Sequence, residues 1–321
     1  MYSSYYHVIK SLYCSANFFF RGHLKDFLYK KSFLKYNSVF KIFELFLVRV
    51  FFSIDVFRKN LVPRKALSEK EILIKNNLIF DKDINFSDTY RNFYENGFCK
   101  IGLLNKNFYQ NLLEELFPEI VNFKDRDNFF LDFIDKQKEA RGRITIKPNN
   151  TNKFIGNLFN SELVKTTTEY YLGTRNIVHS SALFVSYNYE SATLADFNRN
   201  AQSYHSDCRY KKFFKIFVYL NDVNALNGPH CFVKTTHNKK LSNFNPLKSY
   251  SDKVVSDNFS NNIVSIEGPA GLFFLEDTFG LHKGKAIQHG YRAVLVLEVG
   301  IGNQKYDNNH FFVKNLTSQT L

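Results

Sequence analysis

The sequence predicts a mainly β domain with flanking helices, closed or double-sheeted, carried behind a helical N-terminal extension. Three observations predict it. Between Gln202 and Gly300, short runs rich in Val, Ile, Leu, Phe and Tyr alternate with Gly, Pro and Asn turn signals. That punctuation suits a sheet-on-sheet or barrel architecture. Before residue 75, apolar residues instead recur at spacings of three and four, the period of a helix. The charge also changes between the two regions. Of a formal net charge of +13, most falls in residues 1–75, which carry 14 Lys/Arg against 5 Asp/Glu.

The first element is a helix in the basic segment. Phe43, Phe46, Leu47, Val50, Ile54 and Phe57 fall on one face, and Lys41, Glu44, Asp55 and Arg58 on the other. Packing on the following domain is the expected role. A Phe-rich face flanked by basic residues also suits contact with a membrane surface. Pro63 and the charged run Arg64 to Glu71 read as a linker or helix restart. From Phe86 the pattern predicts a helix capped by Ser87, including Tyr90, Phe93 and Tyr94 and ending at Gly97. A strand Phe98 to Ile101 and a helix Asn107 to Leu116 follow. Asp125 to Arg143 is charged and carries no clear period. Ser161 to Leu172 reads as a helix stopped by Gly173, and Ile177 to Tyr189 as one or two strands. Lys212 to Leu220 is a strong strand by its Phe, Ile, Val and Tyr content. His230 to Val233, Ile263 to Ile266, Leu272 to Leu275 and Tyr291 to Val299 complete the strands. Asn238 to Asn262 reads as a long polar loop. The expected organisation is a basic, Phe-rich extension over 1–85, a β-rich domain over 86–302, and a polar tail over 303–321.

Composition narrows the function classes. With 44% hydrophobic and 23% charged residues the chain has material for a core, so wholesale disorder is excluded. Cys14, Cys99, Cys208 and Cys231 form no Cys-x-x-Cys pair. They argue against a zinc ribbon or a disulfide scaffold and for a reducing compartment. Lys10 interrupts the first apolar run, so a signal-peptide layout is lacking. The longest apolar stretch, Ile42 to Phe57, contains Glu44, Arg49 and Asp55 and falls short of the about 18 uncharged residues of a membrane span. A cytoplasmic protein is expected, with peripheral membrane contact through residues 1–75 as its one membrane association. No nucleic-acid-binding motif is present, so no nucleic acid partner is expected.

The candidate chemistry lies in the β region. His205 and Asp207 are two apart, so in an extended strand they share a face and can grip one metal ion. A second His from a distant strand would complete a two-His-one-carboxylate facial triad, the ligand set of non-haem Fe(II). His282 is the candidate. His289 is its rival, but it stands only three residues before Arg292, which leaves little room for a turn between strands. Glu276 and Asp277 are competing carboxylates whose place before a turn also fits solvent exposure. His237 is expected to order a turn, His230 to stand in a strand or line the site, and Cys208 to be a bystander. Arg292 opens the apolar run Ala293 to Leu297. A guanidinium there is costly to bury alone and calls for a carboxylate, from the protein or from a small diacid.

The order Gln202-x-x-His205-x-Asp207, Tyr219-Leu220-Asn221-Asp222-Val223, Asn227-Gly228-Pro229, Thr235-Thr236-His237, His282 and Arg292 resembles the phytanoyl-CoA dioxygenase family of Fe(II)/2-oxoglutarate oxygenases. Asn96-Gly97-Phe98 resembles that family's start, so the likeness spans roughly residues 90 to 300. The resemblance implies a double-stranded β-helix, the cupin-type jelly-roll. It implies His205, Asp207 and His282 as iron ligands and as the catalytic centre, and Arg292 on the distal carboxylate of 2-oxoglutarate. The implied reaction consumes O2 and 2-oxoglutarate, hydroxylates a C–H bond of a small-molecule or acyl substrate, and releases succinate and CO2. Asp207 also sets the chain apart from related halogenases, which lack the carboxylate. Two departures stand out. Lys234-Thr235-Thr236-His237 replaces the family's Pro-Gly-Ser/Thr-His, and Gly284 stands where many members carry Ser or Thr. Gln288 and Tyr291 are the candidate replacements. The competing readings are a catalytically silent jelly-roll binding protein and a peripheral membrane protein acting through its N-terminal helices.

Overall fold

A computed structural model describes residues 71–301, apart from 76–77, 119–125, 137–140, 149–151, 174–176, 208–211, 239–243 and 245–247. The basic helix around Phe43 to Phe57, Cys14, Cys208 and the tail over 303–321 lie outside the described residues. Two short strands, β1 (Leu73–Ile74) and β2 (Ile84–Asn85), pair antiparallel and lead into helix α1 (Phe86–Asn96). Asn85, and not Ser87, caps α1: its side chain accepts from the Asp88 amide, while the Ser87 hydroxyl accepts from Ile72 N. Gly97 ends the helix in the left-handed region at φ 85°, where a Cβ would strike the His237 ring. Ile74, Phe80 and Ile84 join the same apolar cluster as α1.

Strand β3 (Phe98–Leu103) and helices α2 (Lys106–Leu116) and α3 (Arg126–Asp135) follow. The charged stretch without a clear period thus holds α3 and, at its end, strand β4 (Arg143–Ile146). Helix α4 (Lys153–Asn160) precedes α5 (Glu162–Thr167), which Ser161 caps and which runs into a π turn, Thr168–Leu172, before Gly173. Strand β5 (Val178–Tyr187) is continuous. Helix α6 (Leu194–Arg199) is closed by a capping box between Thr193 and Asp196. Strands β6 (Phe213–Tyr219) and β7 (His230–Val233) come next. The expected long loop contains a helix, α7 (Asp252–Phe259), capped by Ser251 and anchored by buried Val255 and Phe259. Their spacing of four was hidden among polar residues. Strands β8 (Ile263–Ile266), β9 (Leu272–Glu276), β10 (His282–Gly284) and β11 (Tyr291–Gly300) finish the fold.

The result mixes helices with antiparallel sheets. One sheet has the order β3-β9-β6-β11-β5-β4, the other β10-β7-β8. Strand alternation gives the large sheet two unlike faces. One presents Phe214, Ile216, Val218, Phe273, Leu275, Leu183, Val185, Leu295, Leu297 and Val299 to a core shared with α1, α2, α4 and α5. The other presents Phe217, Tyr219, Leu272, Phe274, Val294 and Val296, which pack against Phe232 of β7 and Ile266 of β8. The space between the two sheets is the place to look for chemistry. Among the described residues, no helix is long and apolar enough to cross a membrane.

Candidate metal centre

His205 and His282 meet backbone to backbone. Each amide donates to the other's carbonyl at 3.0 Å, so the segment carrying His205 extends the small sheet beyond β10. The Asp207 amide donates to Thr278 O at 2.8 Å, which fixes the third residue by the same ladder. The three side chains converge, with one nitrogen or oxygen of each within 4.8 Å of the others, in an arrangement that could hold a metal ion. His205 Nε2 lies 3.9 Å from Asp207 Oδ1, and His282 Nε2 lies 3.5 Å from Asp207 Oδ2.

The protonation of both rings follows from their second contacts. His205 Nδ1 sits 2.9 Å from Ser203 O, and His282 Nδ1 sits 3.0 Å from Gly280 O. A carbonyl only accepts, so each Nδ1 carries the proton and each Nε2 keeps its lone pair. Burial pushes both rings toward neutrality, lowering His205 and taking His282 down to about 3. Two neutral imidazoles and a carboxylate, each offering one atom within 4.8 Å of the others, fit a divalent transition metal. Of the sequence's rival ligands, His289 is exposed and stands apart from this group.

Glu276 and Asp277 are not solvent-exposed as expected: both are fully buried. Asp277 accepts from the Tyr171 hydroxyl. Glu276 lies 2.7 Å from His230 Nε2, and the His230 ring stacks on His282 with centroids 5.6 Å apart. Desolvation raises Glu276 well above the usual carboxylate range and lowers His230 well below the usual imidazole range. Burial thus disfavours charge on both members of the pair. His237 orders its turn as expected, its Nε2 lying 2.9 Å from Tyr94 O.

Arg292 lies on β11 and points into the same space. It is buried, and its guanidinium donates to Gly228 O. Among the described residues no carboxylate lies within 4 Å of it, and desolvation lowers its pKa. Gly284 explains itself here. A Cβ at that position would collide with the Arg292 guanidinium, so glycine makes room for the cation. The candidate replacements for a hydroxyl at 284 do not serve. The Tyr291 hydroxyl turns to the other face and donates to Asp127, and Gln288 sits in the exposed turn against Leu226.

Sequence reading missed two residues of this interior, Lys215 and Glu298. Lys215 Nζ is 2.6 Å from Asp207 Oδ2 and 3.2 Å from Glu298 Oε2. Their signal was present as Lys215, the lone charge within Phe213–Tyr219, and as Glu298, which interrupts the apolar run that follows Arg292 within Tyr291–Gly300. A charge so placed demands a partner.

No protein-family model matches the chain, and no curated protein does. Solved structures do. An epimerase, SnoN, in complex with Fe3+, alpha ketoglutarate and a nogalamycin compound has a TM-score of 0.47 and 12% identity, over 67% of this chain and 83% of that one. The apo non-heme monooxygenase ThoJ has a TM-score of 0.45 and 13% identity, over 70% and 83%. HygX from Streptomyces hygroscopicus with nickel and 2-oxoglutarate bound has a TM-score of 0.42 and 15% identity, over 66% and 86%. At these values the activity of this chain has to be argued from its own site.

Proposed function

We propose that the chain is a non-haem Fe(II)/2-oxoglutarate-dependent dioxygenase on a double-stranded β-helix, of the kind that the phytanoyl-CoA dioxygenase resemblance implies. It hydroxylates a C–H bond of a small-molecule or acyl substrate, with release of succinate and CO2. One observation carries the reading: a His-Asp-His cluster stands beside a buried guanidinium, packed against Gly284 two residues after His282, that has no carboxylate partner among the described residues. An unpaired buried cation is expensive, and a dianionic co-substrate would offset that cost.

His205 and His282 hold the iron through Nε2, and Asp207 holds it through carboxylate oxygen. Fe(II), when bound there, supplies the activation of O2 and the oxidising power for the C–H bond. Arg292 holds the far carboxylate of 2-oxoglutarate. His282 and the glycine that admits the guanidinium are two residues apart on one strand face, about 7 Å along it, a separation that a five-carbon diacid can span. Phe217, Phe274, Val294 and Val296 line the inner face and keep water from the reacting atoms. The catalytic unit spans residues 86–302, with 1–85 as a basic, Phe-rich extension whose residues 1–75 suit a membrane surface, and 303–321 as a polar tail.

The test is an anaerobic titration of the apoprotein with Fe(II) and 2-oxoglutarate. A weak visible charge-transfer band is expected that needs both additions, is lost in His205→Ala and is weakened in Arg292→Ala. Folded protein that takes up neither iron nor 2-oxoglutarate would overturn the assignment.

A further inference from the structure

The inner face of the large sheet carries a row of charges directly beneath the metal ligands. Lys215 on β6 is in register with Glu298 on β11 on one side and with Glu276 on β9 on the other. All three side chains enter the space between the sheets, since they alternate with residues of the helix-side core. Glu276 and Glu298 are buried, and Lys215 is nearly so. Above this row, Asp207 reaches the same ammonium. Lys215 therefore faces three carboxyl groups and ties down two of them. The other oxygen of Glu298, Oε1, is buried without a hydrogen-bond partner.

This placement bears on the number of protein ligands that a metal at this site receives. A facial triad leaves three positions open for co-substrate and O2 only if its carboxylate uses one oxygen and no further side chain joins. Asp207 has a second oxygen, and Glu298 is a second carboxylate held one ammonium away. Lys215 engages Asp207 Oδ2 and Glu298 Oε2 together. We propose that Lys215 is a positioning residue that sets the coordination number of the metal centre: it confines Asp207 to one-oxygen ligation and keeps Glu298 out of the coordination sphere. The inference rests on the proposed metal and co-substrate site. It adds a role for a residue that touches neither the metal nor the co-substrate.

The experiment uses Co(II) as a spectroscopic probe and 2-oxoglutarate as its partner, on the full chain. Wild type, Lys215→Met and the double variant Lys215→Met/Glu298→Leu are compared. The double variant guards against misfolding, because replacing a buried ion pair with apolar residues of similar size is often neutral or stabilising. In Lys215→Met, Co(II) is retained with an altered visible spectrum, and 2-oxoglutarate affinity on the Co(II) protein falls about 10- to 100-fold. The double variant recovers part of that affinity because Glu298 is gone, yet stays several-fold below wild type because Asp207 is still free to chelate. A folded double variant with the wild-type Co(II) spectrum and wild-type 2-oxoglutarate affinity overturns the inference. Loss of Co(II) from both variants, with the fold intact, overturns it as well. Failure of the wild type itself to bind Co(II) is a separate result, and it strikes the metal site as a whole.

Discussion

The two faces of the large sheet are built from the same strands and obey opposite rules. On the helix side, β6, β9 and β11 present Ile216, Val218, Phe273, Leu275, Leu295, Leu297 and Val299, an unbroken apolar surface. One residue along each strand, the inner face presents Lys215, Glu276, Arg292 and Glu298 beside Phe217, Phe274 and Val296. The helix-side face holds the fold together by burial of apolar surface. The inner face accepts desolvated charge, which lowers stability unless each charge is paired, neutralised or met by a ligand. Lys215 is paired, Glu276 is raised by burial beside His230, and Arg292 has no carboxylate partner among the described residues. The difference separates what a substitution does to stability from what it does to binding, and four outcomes sharpen it.

The largest effect is expected at the ligands. Asp207→Ala should lower Co(II) or Fe(II) affinity by more than about 100-fold, beyond the range seen for residues that merely orient ligands, with a smaller loss of thermal stability than a core truncation, because Lys215 keeps Glu298 as a partner. Leu295→Ala, on the opposite face of β11, should do the reverse, costing about 2–5 kcal/mol of stability while the folded fraction binds metal normally. Isothermal titration and thermal melts on both proteins decide the matter, and loss of metal affinity in Leu295→Ala would blur the contrast between the faces.

Next in size is Arg292→Met. Removing one partner of a buried charge-assisted contact should weaken 2-oxoglutarate binding at least about 30-fold. The apoprotein should be as stable as wild type or more so, because a buried charge with no carboxylate partner among the described residues has gone. A destabilised apoprotein would show that Arg292 already has its partner within the chain.

A smaller effect is expected from Gly284→Ala. The added methyl displaces the guanidinium, so 2-oxoglutarate affinity should fall about 10-fold, the lower end for a displaced positioning contact, with metal affinity unchanged. Competitive binding against Co(II)-loaded wild type would measure it.

The smallest effect is in the pH dependence of stability. Burial holds His205 below its ordinary value of 6.5 and His282 down at about 3. His179, stacked on Phe159 at the helix-side core, is lowered to about 4 by the same cause. Between those values and 6.5 the unfolded chain binds more protons than the folded one. The share of apoprotein stability that depends on these three rings is thus full above about pH 6.5 and falls as the pH drops toward 3, while Glu276, raised by burial, works in the opposite sense. Bound Co(II) should steepen the fall, since its ligands must be deprotonated. Melting temperatures across that range, with and without Co(II), test the sign. A flat profile would mean that these rings are already protonated in the folded state.

Much of the frame was legible in the chain. The β-rich runs from Phe213 to Tyr219 and from Tyr291 to Gly300 are strands, and the i, i+2 spacing of His205 and Asp207 does place both side chains at one point. Helix boundaries were less legible. Asn85 rather than Ser87 caps α1, since which of two nearby polar residues caps depends on which amide needs an acceptor. Helix α7 was hidden because Val255 and Phe259 are few among polar neighbours. The burial of Glu276 and Asp277 was not legible, because a carboxylate before a turn looks solvated until a second sheet closes over it.

The sequence by itself determined that this chain folds around strands, that His205 and Asp207 share one face, and that Arg292 opens an apolar strand where a guanidinium is costly to bury alone. Period and charge are local properties, and these follow from them. Only the tertiary structure decided that Gly284 stands aside for the Arg292 guanidinium, and that Lys215 faces Asp207, Glu276 and Glu298 at once. Those facts depend on strand register and on the gap between two sheets, and residues far apart in the chain set both.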